Sequence, residues 1–247
     1  MRIICLLGIT SVILFSCGGN GGKKETSETP LRVVNVPRFN GDSAYYFVEK
    51  QVKFGPRVPN SVAHRVTGDY LIDQLKKYGA VVKVQEFEGT TFDNQRLKLR
   101  NIIAAFNPKI QKRILLAAHW DTRPFADKDS TKKDPPFDGA NDGASGVGVL
   151  LEIARQLGKN PPSAGVDIIL FDGEDWGEKD GTSDGIPPPF GLQAWWCLGS
   201  QYWAKNKGNY SAYYGILLDM VGAKGSRFFR EGHSPTAHLG FRFFRRD

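Results

Sequence analysis

Cysteine and histidine are sparse in this chain, at three and four among 247 residues. Cys5 lies within the N-terminal apolar stretch and Cys17 just after it, which leaves Cys197 alone. No intramolecular disulfide is therefore expected in the mature chain, and a disulfide-stapled fold is excluded. Cys197 has no His near it in sequence, so an inert buried thiol is the plainer reading than a nucleophile. Long hydrophobic runs are missing too. The stretch from Ile3 to Phe15 is too short to cross a bilayer as a helix. No internal repeat is visible, and no basic motif of a nucleic-acid fold accompanies the net charge of +7. Four of those seven charges fall between Lys224 and Asp247, where six Lys/Arg meet two acids. The basicity belongs to the tail, and no nucleic-acid partner is expected. What is present, 40% hydrophobic residues over 247 positions, suffices for one substantial core.

The N-terminus reads as a targeting segment. Arg2 supplies a positive charge ahead of the short apolar stretch, as in a signal peptide spanning residues 1–16. The stretch ends in Leu14-Phe15-Ser16-Cys17, which resembles the lipobox of bacterial lipoproteins. Cys17 then becomes the lipidated first residue, and residues 17–39 begin with a Gly/Ser/Thr/Lys/Glu-rich flexible tether. The expectation is an exported lipoprotein held at the cell envelope or in the periplasm by its lipid anchor. The plain alternative is an ordinary secretory signal with an incidental Cys.

Residues 40–234 carry the folded part. Asp42 to Lys53 has Tyr45, Tyr46, Val48 and Val52 on a helical period, and Ala63 to Tyr78 forms a second helix stopped by Gly79. Val81 to Phe87 and Leu99 to Phe106 alternate like half-buried strands. Arg113 to Ala118, Val166 to Phe171 and Tyr213 to Leu218 are apolar runs of parallel-sheet type. Between them, Val147, Leu150, Leu151, Ala154 and Leu157 form one stripe of a helix, and Ser200 to Lys205 a shorter one. Strands alternating with helices predict an α/β sandwich around a mixed, mostly parallel sheet. Functional groups then belong at the carboxyl ends of the strands.

Four groups of polar residues fall at those ends: His119-Trp120-Asp121, the glycine-rich segment 139–146 around Asp142, Asp172-Gly173-Glu174-Asp175, and Asp219. Each has a bland alternative. Asp142 could cap the following helix, Glu174 and Asp175 could lie in an acidic loop, Asp219 could be a turn residue, and His119 a satisfied core histidine. Together they point to a cation, because gathered carboxylates raise each other's pKa unless something uses their charge. Adjacent carboxylates suit a metal enzyme, one binding the ion and its neighbour moving protons.

With the earlier segment Phe54-Gly55-Pro56-Arg57-Val58-Pro59, these motifs resemble the zinc-dependent glutaminyl cyclases, relatives of the zinc aminopeptidases. The resemblance spans about residues 40–233. It implies a three-layer zinc aminopeptidase-like sandwich and one zinc ion. It also implies conversion of N-terminal glutamine, on peptide or protein substrates, to pyroglutamate with loss of ammonia. By motif, Asp142 and Asp175 correspond to zinc ligands, Glu174 to the proton shuttle, and Asp219 to a carboxylate that hydrogen-bonds the transferring group. In the two-zinc aminopeptidases, His119 and Asp219 would bind a second ion bridged by Asp142, so His119 is a second-metal or supporting residue.

The resemblance stops near Ser234. Residues 235–247 match nothing that the relatives place there, and five Phe crowd the last twenty positions. His64 sits in a helix, and neither His233 nor His238 matches the late zinc ligand. A truncated or frameshifted C-terminus is expected, with the third protein ligand to zinc unidentified and activity impaired. The alternatives are a zinc aminopeptidase of the same fold and a non-catalytic lipoprotein fragment. Trp176, Trp195 and Trp196 are expected to line or flank a pocket.

Overall fold

The computed structural model describes residues 36–179, 188 and 194–227. Helix α1, Gly41–Lys53, starts where Asn40 Oδ1 accepts from Ser43 N at 3.0 Å, and it ends on Lys50 and Lys53. The capping carboxamide and the terminal lysines both oppose the helix dipole's stray ends. Its buried face is Ala44, Phe47 and Gln51, whereas Tyr45 and Tyr46 are 66% and 49% exposed. The tyrosine-based face expected from periodicity is thus wrong. Gln51 decides the rotation, because its Nε2 donates to Ala144 O at 3.2 Å and to Phe47 O at 2.9 Å. Helix α2, Val62–Lys77, is capped by Ser61 and buries Leu71 and Leu75 completely.

Strands β1 (Val81–Thr90), β2 (Arg96–Phe106), β3 (Arg113–His119), β4 (Gly165–Phe171) and β5 (Tyr214–Leu217) form one sheet in the order β1-β2-β4-β3-β5. The β1–β2 and β2–β4 pairs are antiparallel, and β3 is parallel to both β4 and β5. Strand β2 alone therefore runs against the other four. Helices α1, α2 and α3 (Ala144–Lys159) cover one face. Their core interlocks Leu71, Leu75, Val147, Leu150 and Leu151 with Ile102, Ile168 and Leu170. A second cluster, Leu97, Leu99 and Leu198 with Phe87 and Trp176, lies under α4 (Leu198–Asn206). Two separate clusters divided by one sheet give the α/β sandwich that the alternation predicts, in the three layers that the resemblance implies.

Two details of the sheet shape the site edge. Strand β4 pairs with β2 only over Ile102 to Phe106, so on that side the first half of β2 has no strand partner among the described residues. Side chains take over. Asn60 Oδ1 accepts from Lys98 N at 2.9 Å, Asn60 Nδ2 donates to Arg96 O at 2.8 Å, and Asp172 Oδ2 accepts from Arg100 N at 2.7 Å. The apolar run of β4 also hides a charge. Asp167 takes a two-point ion pair from Arg113 and a hydrogen bond from Tyr210 Oη at 2.8 Å. Pairing with the half-buried Arg113 satisfies the buried Asp167 carboxylate, which is the condition for tolerating it.

Candidate metal centre

Parallel neighbours end at one edge of a sheet, and three of them deliver this site. Strand β3 ends on His119, β4 runs into Asp172-Gly173-Glu174-Asp175, and β5 runs into Leu218-Asp219. The approach to α3 adds Asp142. His119 stands at the centre, almost fully buried. Its Nε2 lies 2.9 Å from Asp142 Oδ1 and 3.6 Å from Asp219 Oδ1. On the other side, Nδ1 faces Asp121 Oδ1 at 3.5 Å and Glu174 Oε2 at 3.6 Å.

Two glycines make this crowding possible. Gly143 has φ +82, and a Cβ there would stand 2.9 Å from Asp121 O and 3.1 Å from His119 Cε1. At Gly146 a Cβ would lie 2.4 Å from Leu218 O, so the exit of β5 packs directly on α3. That exit is then pinned: Gly222 N donates to Asn141 Oδ1 at 2.8 Å and Val221 N to Ser145 Oγ at 3.0 Å. The glycine-rich segment thus positions both Asp142 and Asp219.

The electrostatics follow from burial against pairing. Burial opposes charge on His119, yet the Asp121, Asp142 and Asp219 carboxylates outweigh it and hold its pKa well above 6.5. Burial also raises Asp121, but the imidazole and the Glu174 and Asp175 N–H groups, at 3.0 and 3.1 Å, leave it below the usual range. Glu174 is pushed up to about 6, first by burial and then by the neighbouring acids, against the pull of His119. Asp175 is pushed up to about 8 by burial and by Asp121. Asp219, half-exposed, is lowered by its hydrogen bond with His119.

A divalent cation fits these residues. Asp175 Oδ2 and His119 Nδ1 are buried polar atoms without a hydrogen-bond partner. Among the described residues two three-donor groups share the imidazole: His119 with Asp142 and Asp175, and His119 with Glu174 and Asp219, all donor atoms within 4.8 Å of one another. Orphaned carboxylate oxygens and raised carboxyl pKa values are both relieved by a hard or borderline divalent ion. His119 thereby supplies a candidate third donor beside Asp142 and Asp175, where sequence reasoning identified none.

Some expectations change. Asp142 does not cap α3: the cap residue is Gly143, with no side-chain bond. Asp172 does not share the cluster. It turns away to His64 Nε2 at 2.9 Å and to the N–H groups of Arg100 and Gly173, while His64 stacks on Trp120 at 4.3 Å. Burial pushes the Cys197 thiol up to about 12, helped by Glu174, 3.7 Å from its sulfur, so the residue is no thiolate nucleophile. Trp176 packs in the β2–α4 cluster, and Trp196 covers Arg123 at 4.5 Å while donating to Glu178. Both are partly buried and brace the loop that follows β4. Cys17, His233 and His238 lie outside the described residues.

Sequence reasoning missed three supporting residues. Asp121 grips the backbone of Glu174 and Asp175. Arg123 pairs with Asp127 through two bonds and donates to the carbonyls of Asp175 and Glu178. Arg57 is wholly buried beneath the cluster. Asp121 and Arg57 sit in quoted motifs and Arg123 two residues beyond one, but only their places between loops reveal a function. A cavity of about 860 Å³ lies elsewhere, over α2, β1 and β2, lined by residues including His64, Glu86, Glu88, Lys98 and Arg100. Its charges alternate across the strands, with Glu86 opposite Arg100 and Glu88 opposite Lys98, so no single chemistry converges there.

Comparison with known proteins agrees with this geometry. A zinc-dependent exopeptidase from Parabacteroides distasonis superposes with a TM-score of 0.77 at 53% identity, covering 82% of this chain and 69% of that one. The Bacteroides thetaiotaomicron glutaminyl cyclase bound to N-acetylhistamine gives 0.76 at 48% identity, covering 82% and 69%. The glutaminyl-peptide cyclotransferase of Bos taurus is 29% identical over 140 residues, 50% of this chain and 37% of its own. The chain spans 39%, 36% and 37% of the length of the first curated relatives it matches. The model of Peptidase family M28 matches residues 101–242, more than half of the chain. On that match, and on the strand-end cluster it contains, the chain belongs to peptidase family M28.

Proposed function

We propose that this chain carries the active site of a zinc-dependent glutaminyl-peptide cyclotransferase acting on peptides or proteins with N-terminal glutamine. The observation that carries the reading is Glu174, lifted to about 6 and set beside the Asp142, Asp175 and His119 donors. A carboxyl poised near neutral pH can both take and return a proton. The substrate supplies its own nucleophile, which agrees with a Cys197 thiol pushed up to about 12. Asp142 and Asp175, with His119, would hold the zinc. When bound, the ion polarises the side-chain amide carbonyl of the substrate.

The chain's own groups do the rest. The α-amine attacks the γ-amide carbon, forming the ring C–N bond. Glu174 accepts the amine proton and delivers it to the amide nitrogen, which leaves as ammonia when the old C–N bond breaks. Asp219, lowered by its hydrogen bond with His119, stays ionised and orients the transferring nitrogen by accepting from it.

One observation favours an aminopeptidase instead: the second donor group, His119 with Glu174 and Asp219, could hold a second ion. Purified protein given zinc, glutaminyl peptides and aminoacyl dye substrates distinguishes the readings. Ammonia release without peptide cleavage supports the cyclase. Dye release supports the peptidase, and neither signal supports a non-catalytic lipoprotein. The segment boundaries at 16 and 234 lie outside the described residues, and among those described no helix is long and apolar enough to cross a membrane. The lipid anchor is proposed on the Cys17 motif alone, and Cys17→Ser should abolish fatty-acid labelling of the exported protein.

A further inference from the structure

Arg57 is 0% exposed, and among the completely buried side chains of the described residues only Trp120 is larger. Its guanidinium goes entirely to backbone carbonyls. Nε donates to Trp120 O at 3.1 Å, Nη1 to Asp138 O at 2.5 Å and Nη2 to Gly139 O at 2.8 Å. Its own carbonyl accepts from Thr122 N at 3.2 Å. The residue therefore joins three pieces of chain: the segment 54–59, the exit of β3 between His119 and Asp121, and the turn three residues before Asp142.

Carbonyls satisfy its hydrogen bonds without neutralising its charge. A buried ion left in that state is costly unless opposite charge stands near. Burial accordingly lowers Arg57 to about 10, and the charges that oppose this are Asp121, Asp138, Asp142 and Asp175. Three of those four belong to the site. A planar fork with fixed donor directions also sets the distance between the two loops it grips, which a flexible ammonium does not.

We propose that Arg57 is a positioning residue of the metal centre: its buried fork fixes the β3 exit against the 138–139 turn, so that His119, Asp121 and Asp142 converge on one cation. This rests on the zinc reading above. The test replaces Arg57 by Lys in the full chain, which keeps the charge and removes the fork. A change in zinc affinity then reports geometry rather than net charge. Supporting groups of this kind typically change metal affinity by about 10–100-fold, and that loss is expected for Arg57→Lys in competition with a chromophoric chelator. The metal-free melting temperature is read in parallel. A lowered melting temperature with zinc affinity within about twofold of the unaltered protein overturns the proposal and leaves Arg57 a purely structural residue.

Should Arg57→Lys fail to fold, the unaltered protein still decides. With ¹⁵N-arginine labelling, the Arg57 Nε–H resonance should resist solvent exchange and shift when zinc is added. A resonance unmoved at saturating zinc overturns the inference while leaving the zinc reading intact. An unaltered protein that takes up no zinc overturns both.

Discussion

Glu174 and Asp175 are adjacent in sequence yet have different work, and their surroundings separate them. Glu174 is partly open to solvent and faces the imidazole, whereas Asp175 keeps one oxygen buried without a partner. Replacing Glu174 by Gln removes the proton carrier and keeps the shape. Turnover of a glutaminyl peptide should fall about 10²–10⁴-fold, with zinc content by elemental analysis unchanged; lost metal would show that Glu174 is a ligand. Asp175 sets the pH response. Without metal its pKa is pushed up to about 8 by burial and Asp121, so at pH 7 it holds a proton that a cation must displace. Zinc affinity should therefore rise as pH climbs through 8, because both Asp175 and the imidazole of His119 must give up protons to bind the ion, with proton release visible in weakly buffered calorimetry. The stability sign follows as well. A carboxyl whose pKa is higher folded than unfolded binds more protons in the native state, so the metal-free fold loses stability as pH climbs from about 4 to 8. His119, also raised, acts in the same direction, losing its contribution as pH rises through its folded value. A metal-free melting temperature that increases from pH 5 to 8 would contradict both. At this scale the acids were legible because like charges at strand ends are hard to explain otherwise. The supporting roles of Asp121 and Arg57 were not, since the backbone groups each one holds leave no trace in a sequence pattern.

The elements matter through what their ends hold. Asp172, the first residue after β4, sends its carboxylate to His64 on α2 and to the backbone of Arg100 and Gly173. It thereby ties α2, β2 and the Glu174 turn together, and α4 adds a clamp through Leu198 N to Gly173 O at 2.9 Å. Asp172→Ala strips a fully buried pair of one member and leaves His64 and two backbone N–H groups without their acceptor. Unfolding by urea should show a loss of about 3–5 kcal/mol, the range for breaking a buried pair. A loss below about 1 kcal/mol, the scale of a surface pair, would mean that His64 is not held by Asp172 in solution. Most elements could be read in advance, because a period near 3.6 survives in the apolar residues of α3 and near-continuous apolar runs mark β3 and β4. The orientation of α1 could not. Its apolar and aromatic residues lie all round the helix, and the buried Gln51 that fixes its rotation looks like a surface residue until Ala144 O is found beside it. The reversed direction of β2 was also invisible, because alternation reports a half-buried strand and not its neighbour.

In the molecule as a whole, the sheet formed by the described residues has two unlike edges. Strand β1 is long and lies beside β2, with charged residues alternating along both. At the other edge β5 is four residues long, and Ile216 and Leu217 are 42% and 63% exposed, close to exposed Tyr213 and Met220. Among the described residues, β5 pairs only with β3. Parallel strands are ordinarily covered on both faces, and an apolar edge whose backbone has no further strand partner among the described residues is a template for another chain. Association through this edge should therefore grow with protein concentration in sedimentation velocity. Leu217→Lys places a charge on that edge without emptying the core, since the native side chain is already exposed. It should shift the distribution towards monomer and leave the melting temperature nearly unchanged. Val81→Lys, on exposed Val81 at the start of β1, serves as the counterpart on the opposite edge and should leave association as it was. Equal effects from both substitutions would mean that net charge rather than the β5 edge governs association. No effect from either would mean that the exposed face of β5 is inert.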